Sequence, residues 1–159
     1  MRIFFFIATV FLFACSTKRH SEEGVLGVLG SKYSEPERNS ISGVVFVDNY
    51  DGDTFTVNIA GIPPVFGAQI SVRVRGIDAP EIRGKGLCEK ERAIESRDLL
   101  RSKLLQANLI KLENVARDKY FRLLADVSFD GADLADALKE RKLAVPYDGG
   151  TKTLYDWCR

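Results

Sequence analysis

Histidine is almost missing from this chain: 159 residues contain one, His20, in a polar stretch near the front. That excludes Ser-His-Asp triads, two-histidine acid–base catalysis and histidine-rich zinc sites, all of which need imidazoles the sequence does not have. Net charge is scarce too. Lys and Arg number 23 against 22 Asp and Glu, leaving +1, too little for a protein that coats nucleic acid through its overall field. The balance persists over residues 41–159, which hold 18 basic and 18 acidic residues. Any contact with a polyanion must therefore be local, built from a few arginines or a bound metal. The apolar run over residues 3–13 falls well short of the roughly 20 residues of a bilayer-spanning helix. No internal repeat is visible.

What is present suits a packed domain. Hydrophobic residues make up 45 % and charged residues 28 %, so a core is feasible and wholesale disorder is not expected. The front end has the grammar of a targeting segment: Arg2, the short apolar run, then Leu12-Phe13-Ala14 before Cys15. Residues 1–14 read as a signal peptide. A small residue before a cysteine resembles a bacterial lipoprotein cleavage box, which implies Cys15 as a lipid-bearing N-terminus, with ordinary export or an uncleaved anchor as the alternatives. Ser16 is compatible with sorting to an outer membrane, so the expected location is exported, at the cell envelope or outer membrane through that lipid. Residues 15–40 are polar and glycine-interrupted, with charges of both signs, and read as a flexible tether. The folded domain is expected over residues 41–159.

Within it, residues 41–47 and 54–59 are rich in β-branched or alternating residues around an Asp-Gly-Asp turn, a hairpin signal. Residues 61–67 read as a connection and 69–77 as a third strand, with Val72 and Val74 on one face and Arg73 and Arg75 on the other. Residues 82–87 are glycine-rich and basic, a loop. A helix follows over 89–106, with acids early, bases late and an apolar stripe of Ala93, Leu100 and Leu104. Residues 109–115 and 123–129 read as two more strands, and 132–142 as a short helix turning Leu134, Ala135 and Leu138 inward. Five strands with one helix after the third and another at the end predict a mainly β fold with α (α+β). The expected architecture is a five-stranded barrel of the oligonucleotide/oligosaccharide-binding type with two helices.

Two acidic turns, Asp51-Gly52-Asp53-Thr54 and Asp78-Ala79-Pro80-Glu81, flank the strand that carries Arg73. One such turn alone is ordinary hairpin chemistry. Together they bring carboxylates and guanidinium groups towards one rim, the composition of a metal-assisted phosphodiester site: a hard cation takes oxygen ligands, and a phosphate in transition takes fixed positive charge.

These turns, with Arg73 five residues before Asp78 and the later run Asp118-Lys119-Tyr120-Phe121-Arg122, stand in the order and approximate spacing of the thermonuclease (staphylococcal nuclease-like) family. The chain resembles that family over roughly residues 42–147. The resemblance implies a Ca²⁺-dependent endonuclease that hydrolyses DNA and RNA with little sequence preference and leaves 3′-phosphorylated ends. It implies Asp53 and Asp78 as carboxylate ligands of Ca²⁺ and the main-chain carbonyl of Ala79, where members often carry threonine, as a third. Arg73, Glu81 and Arg122 fall on its catalytic positions, and Lys119 and Tyr120 on positions that contact a substrate phosphate. Phe121 stands where the family usually has glycine.

The chemistry is sensible on its own terms. Calcium takes six to eight oxygens, so two carboxylates and a carbonyl leave room for water and a phosphate oxygen. Glu81 is placed to orient or deprotonate an attacking water, and paired arginines grip phosphate oxygens better than lysines because their planar fork makes paired bonds. The alternative is a barrel that binds nucleic acid or an envelope partner without cutting, as a non-catalytic lipoprotein. Such a binder has no reason to carry the whole set Asp53, Arg73, Asp78, Glu81 and Arg122. A monomer is expected. With Cys15 assigned to lipid, Cys88 and Cys158 form an even pair that in an exported chain suggests a disulfide, with two free thiols as the alternative.

Overall fold

The computed structural model describes residues 39–84, 86–152 and 155–158. The expected signal segment, Cys15 and nearly all of the expected tether lie outside the described residues. Five strands make the main sheet: β1 (Val44–Asn49), β2 (Thr54–Ile59), β3 (Ile70–Val74), β5 (Ile110–Arg117) and β6 (Leu123–Phe129), in the order β1-β2-β3-β6-β5. All neighbours are antiparallel except β3 and β6, which run parallel. The sheet curls until its ends meet, because Ile41 and Leu112 exchange backbone hydrogen bonds of 2.8 and 2.9 Å and Val115 N donates to Asn39 O at 2.9 Å. This is the mainly β, α-bearing barrel of the oligonucleotide/oligosaccharide-binding type. Its ladder engages Asn39, two residues ahead of the boundary expected at 41.

Alternation explains the strands. Phe55, Val57 and Ile59 of β2 and Val72 and Val74 of β3 are buried, as a period of two with one face inward requires. They meet Leu112 and Val127 from the far strands and two helices. The longer helix, α2 (Leu87–Gln106), buries Ala93, Ser96, Leu100 and Leu104, spacings of three and four that keep one face inward. Glu89 in its first turn and Lys103 in its last suit the helix dipole. The shorter, α3 (Leu134–Glu140), starts at Asp133, whose side chain accepts from Asp136 N at 2.8 Å, an N-cap worth about 1 kcal/mol. Leu134 and Leu138 of α3 are fully buried, each contributing roughly 1.5–3 kcal/mol.

Four local expectations are corrected. The strand expected over 69–77 is broken: β3 ends at Val74, Gly76 takes a φ of +78°, and β4 (Ile77–Asp78) leaves the sheet to pair with β8 (Val145–Pro146). Glycine tolerates that left-handed turn without a Cβ clash, and the turn swings Asp78 to the rim. A one-turn helix, α1 (Pro64–Gly67), occupies the expected connection, with proline at its start. Helix α2 begins at Leu87, the last residue of the expected loop. The final helix starts at Leu134 because β7 (Ala132–Asp133) is paired to β6.

Candidate active site

The Asp51–Thr54 turn is held from three sides. Asp51 Oδ1 accepts from Asp53 N and Thr54 N at 3.2 and 2.7 Å, closing an Asx turn. Buried Asn49 donates from Nδ2 to Asp51 O and to Arg97 O in α2, both at 2.9 Å. A Cβ on Gly52 would lie 1.9 Å from Ser96 Oγ, so glycine is what lets the turn press against α2. Ser96 cannot give way freely, since its Oγ donates to Leu143 O at 2.8 Å. The result is a fixed, buried Asp53, whose Oδ2 accepts from Ala79 N at 2.9 Å and whose Oδ1 accepts from Thr54 Oγ1 at 3.0 Å.

Register supplies the rest. Thr54 pairs with Arg73 across β2 and β3, so the Arg73 guanidinium lies beside Asp53. Its Nη1 is 3.0 Å from Asp53 Oδ2 and its Nη2 3.4 Å from Asp78 Oδ1, and Nη1 also donates to Val74 O at 3.2 Å. Two carboxylates from separate turns thus converge on one buried cation. The parallel pairing of β3 with β6 sets Arg73 opposite Leu124, which brings Arg122 to the same rim. Arg122 Nη1 donates to Thr54 Oγ1 at 3.2 Å and Nε to Asp118 Oδ2 at 2.7 Å. Asp118 Oδ1 accepts from Tyr120 N and Arg122 N at 2.8 and 3.0 Å, so the 118–122 turn is wrapped around one carboxylate. Phe121 meets this turn with a φ of +64°, a conformation that costs a side-chain-bearing residue about 1 kcal/mol. Arg122 nevertheless faces the cavity.

That cavity is open, with a volume of about 1050 Å³, and Asp53, Arg73, Glu81, Tyr120, Arg122 and Lys152 are among its walls. Asp78 does not line it directly; its carboxylate meets Arg73 and Lys152. Glu81 is exposed, follows the buried Pro80, and anchors a turn in which Gly84 N donates to its carbonyl at 2.8 Å. Ala79 is buried, with its N–H on Asp53. Lys119 and Tyr120 are exposed at the rim, where Lys119 Nζ and Arg122 Cζ lie 5.2 and 5.4 Å from the Tyr120 ring centroid. Arg75, just past the end of β3, also borders the cavity and pairs with Asp126 at 3.4 Å.

Two residues escaped the sequence reading. Lys152 Nζ lies 2.9 Å from Asp78 Oδ1 and 2.6 Å from Glu81 Oε1. Nothing local marks it, since Glu81 is 71 positions away. Asp118, to which the sequence pattern gives no role of its own, is the anchor of Arg122, four residues on. Cys88 and Cys158 are joined by a disulfide, with Cα atoms 5.8 Å apart, which ties the tail carrying Lys152 to the first turn of α2.

Burial pushes the Asp53 carboxyl up to about 6, against the lowering influence of Arg73 and with Asp51 and Asp78 adding to the rise. Burial also pushes the Asp118 carboxyl up, but hydrogen bonds from Arg122 and two backbone amides outweigh it and hold the group below its ordinary value. For Lys152 desolvation alone would lower the ammonium, yet its bonds to Glu81 and Asp78 raise it well above the usual range. Among the described residues no three His, Cys, Asp or Glu side chains form a metal cage. A divalent cation held by Asp53 and Asp78 would need main-chain oxygen or water to complete its shell. That all-oxygen set fits a hard cation.

Residues 71–154 match the family described as Staphylococcal nuclease homologue, more than half of the chain. A curated relative from Schizosaccharomyces pombe (strain 972 / ATCC 24843), named as a probable endonuclease, is 34 % identical over 87 residues, covering 50 % of this chain and 37 % of its own. The chain thus spans little more than a third of that relative's length. Asp53 precedes the matched segment, and its tie to Arg73 and Ala79 is what joins it to the rest.

Proposed function

The chain belongs to the staphylococcal nuclease homologue family, and from that premise we propose that it is a phosphodiester hydrolase: a Ca²⁺-dependent endonuclease that cuts DNA and RNA without sequence preference and leaves 3′-phosphorylated ends. One observation carries the proposal. Asp53 and Asp78 converge on Arg73, beside a cavity whose walls also hold Glu81 and Arg122.

In this reading Asp53, Asp78 and the carbonyl of Ala79 hold the calcium ion, which when bound supplies positive charge to a phosphate oxygen and acidifies water. Glu81, exposed on the open side, accepts a proton from the attacking water. The new bond forms between that water oxygen and phosphorus, the P–O5′ bond breaks, and O5′ leaves by taking a proton from solvent water while the phosphate stays on the 3′ side. Arg122, oriented through Nε by Asp118, turns its remaining N–H groups towards the phosphate oxygens as charge builds. Arg73 supplies buried, immobile positive charge on the opposite flank. Lys119 and Tyr120 at the rim contact a neighbouring phosphate of the strand. The same proposal has the domain act as a monomer, carried at the cell envelope by lipid on Cys15.

A plasmid-nicking assay on protein lacking residues 1–14 tests this. Nicking in Ca²⁺, loss of nicking with chelator and 3′-phosphate on the mapped ends are expected. Binding of DNA or RNA with no cleavage in Ca²⁺, Mg²⁺ or Zn²⁺ would replace the hydrolase with a nucleic-acid-binding barrel.

A further inference from the structure

We infer that Lys152 belongs to the site as a tethered ammonium, anchored also on Glu81, that competes with the divalent cation for Asp78 and so sets how tightly that cation is held. The inference rests on the reading of Asp53 and Asp78 as cation ligands. Asp78 Oδ1 already faces two cationic groups, Lys152 Nζ at 2.9 Å and Arg73 Nη2 at 3.4 Å. Calcium binds a carboxylate oxygen at about 2.3–2.6 Å. On that oxygen a double positive charge would lie within a few ångströms of the ammonium, and one of the bound cations must yield.

Lys152 is the one built to yield. Arg73 has a side chain only 10 % exposed and bonds the backbone of its own strand, whereas the Lys152 side chain is 49 % exposed on a flexible four-carbon stem. What keeps it close is the tail, which is fastened on both sides of Lys152. Upstream, Tyr147 N donates to Gly76 O at 3.0 Å and Tyr147 Oη to Gly150 O at 2.7 Å. Downstream, Cys158 is bonded to Cys88. A group tethered this way acts at a high effective concentration. Releasing the downstream fastening therefore weakens the competitor without touching it.

Calorimetric titration of Ca²⁺ at neutral pH without nucleic acid tests this on six proteins lacking residues 1–14: wild type, Lys152→Ala, Lys152→Arg, Asp78→Asn, Cys88→Ser with Cys158→Ser, and that cysteine pair combined with Lys152→Ala. Lys152→Ala should tighten binding about tenfold, within the usual span of a site-to-site coupling, and Lys152→Arg should stay near wild type. The cysteine pair, shown folded by circular dichroism at the working temperature, should shift the same way, with Lys152→Ala adding little on top. Asp78→Asn should abolish binding. If Asp78→Asn abolishes binding but Lys152→Ala leaves it unchanged or weaker, the competition is overturned and the ligand reading stands. If the wild type binds no Ca²⁺, the ligand reading falls and the inference with it.

Discussion

Arg122 follows a residue in a left-handed conformation, Phe121, and still points into the cavity, because Asp118 takes three hydrogen bonds from the turn and from the guanidinium itself. Asp118→Asn should therefore lower nuclease activity through Arg122 and destabilise the fold by about 1 kcal/mol. The pH dependence has a definite sign. The Asp118 carboxyl is held below its ordinary value, so its contribution is present above the unfolded value, near 4, and is lost as pH falls through the lower folded value. The gap in denaturation midpoint between wild type and Asp118→Asn should be open at pH 7 and close on acidification below about 4. Glu81 gives a cleaner test of chemistry at saturating Ca²⁺, where its side-chain bond to Lys152 no longer bears on cation binding, since it is exposed. Glu81→Gln and Arg122→Ala should each lose at least about a hundredfold in cleavage, roughly 3 kcal/mol of transition-state stabilisation, with circular dichroism unchanged. Near-native turnover in either would remove that residue from the mechanism. Arg73→Ala would be less informative, because stripping the cation from between Asp53 and Asp78 also costs stability.

The elements position these side chains through close approaches as much as through strands. The Asp51–Thr54 turn can press on α2 only because Gly52 has no Cβ to meet Ser96. Gly52→Ala overpacks that contact and should cost about 1–3 kcal/mol, with a loss of Ca²⁺-dependent cleavage larger than the loss of folded protein, because Asp53 moves with the turn. Thermal melts and single-turnover rates on the same sample separate the two. This level also marks where sequence reading stops. The alternation of Val72 and Val74 with Arg73 and Arg75, the stripe on α2 and the two acidic turns are local patterns, and they led to the strands, the helix and the convergence on Arg73. The break at Gly76 was hidden because residues 69–77 alternate as one strand. The turn shows only once β8, some seventy positions later, pairs with Ile77 and Asp78. Lys152 was hidden for the same reason, its partners Asp78 and Glu81 being distant in sequence.

Across the whole molecule charge is nearly balanced, so the positive charge a phosphate would meet is local, at Arg73, Arg122 and the rim. Holding that cluster together falls partly to one covalent link. Cys88 and Cys158 are 70 positions apart, and the chain between them contains α2, β5, β6, α3 and β8, including Asp118, Arg122 and Lys152. Closing a loop of that length restricts the unfolded chain by about 4 kcal/mol in the chain-entropy picture. Such a bond persists in an oxidising compartment, in keeping with the export proposed from residues 1–14. Cys88→Ser with Cys158→Ser, or reduction of the wild type, should lower the melting temperature by on the order of 10–20 °C for a domain of this size. At temperatures where the protein stays folded, cleavage at saturating Ca²⁺ should change little, because Asp53 is set by its turn, Arg73 by the barrel ladder, Arg122 by Asp118 and Asp78 by β4 and β8. Differential scanning fluorimetry with and without reductant, paired with nicking at low temperature, checks both halves. An unchanged melting point would mean that the β4–β8 pairing alone holds the tail, and a collapse of cleavage in the folded, reduced protein would make the disulfide part of the site rather than its fastening.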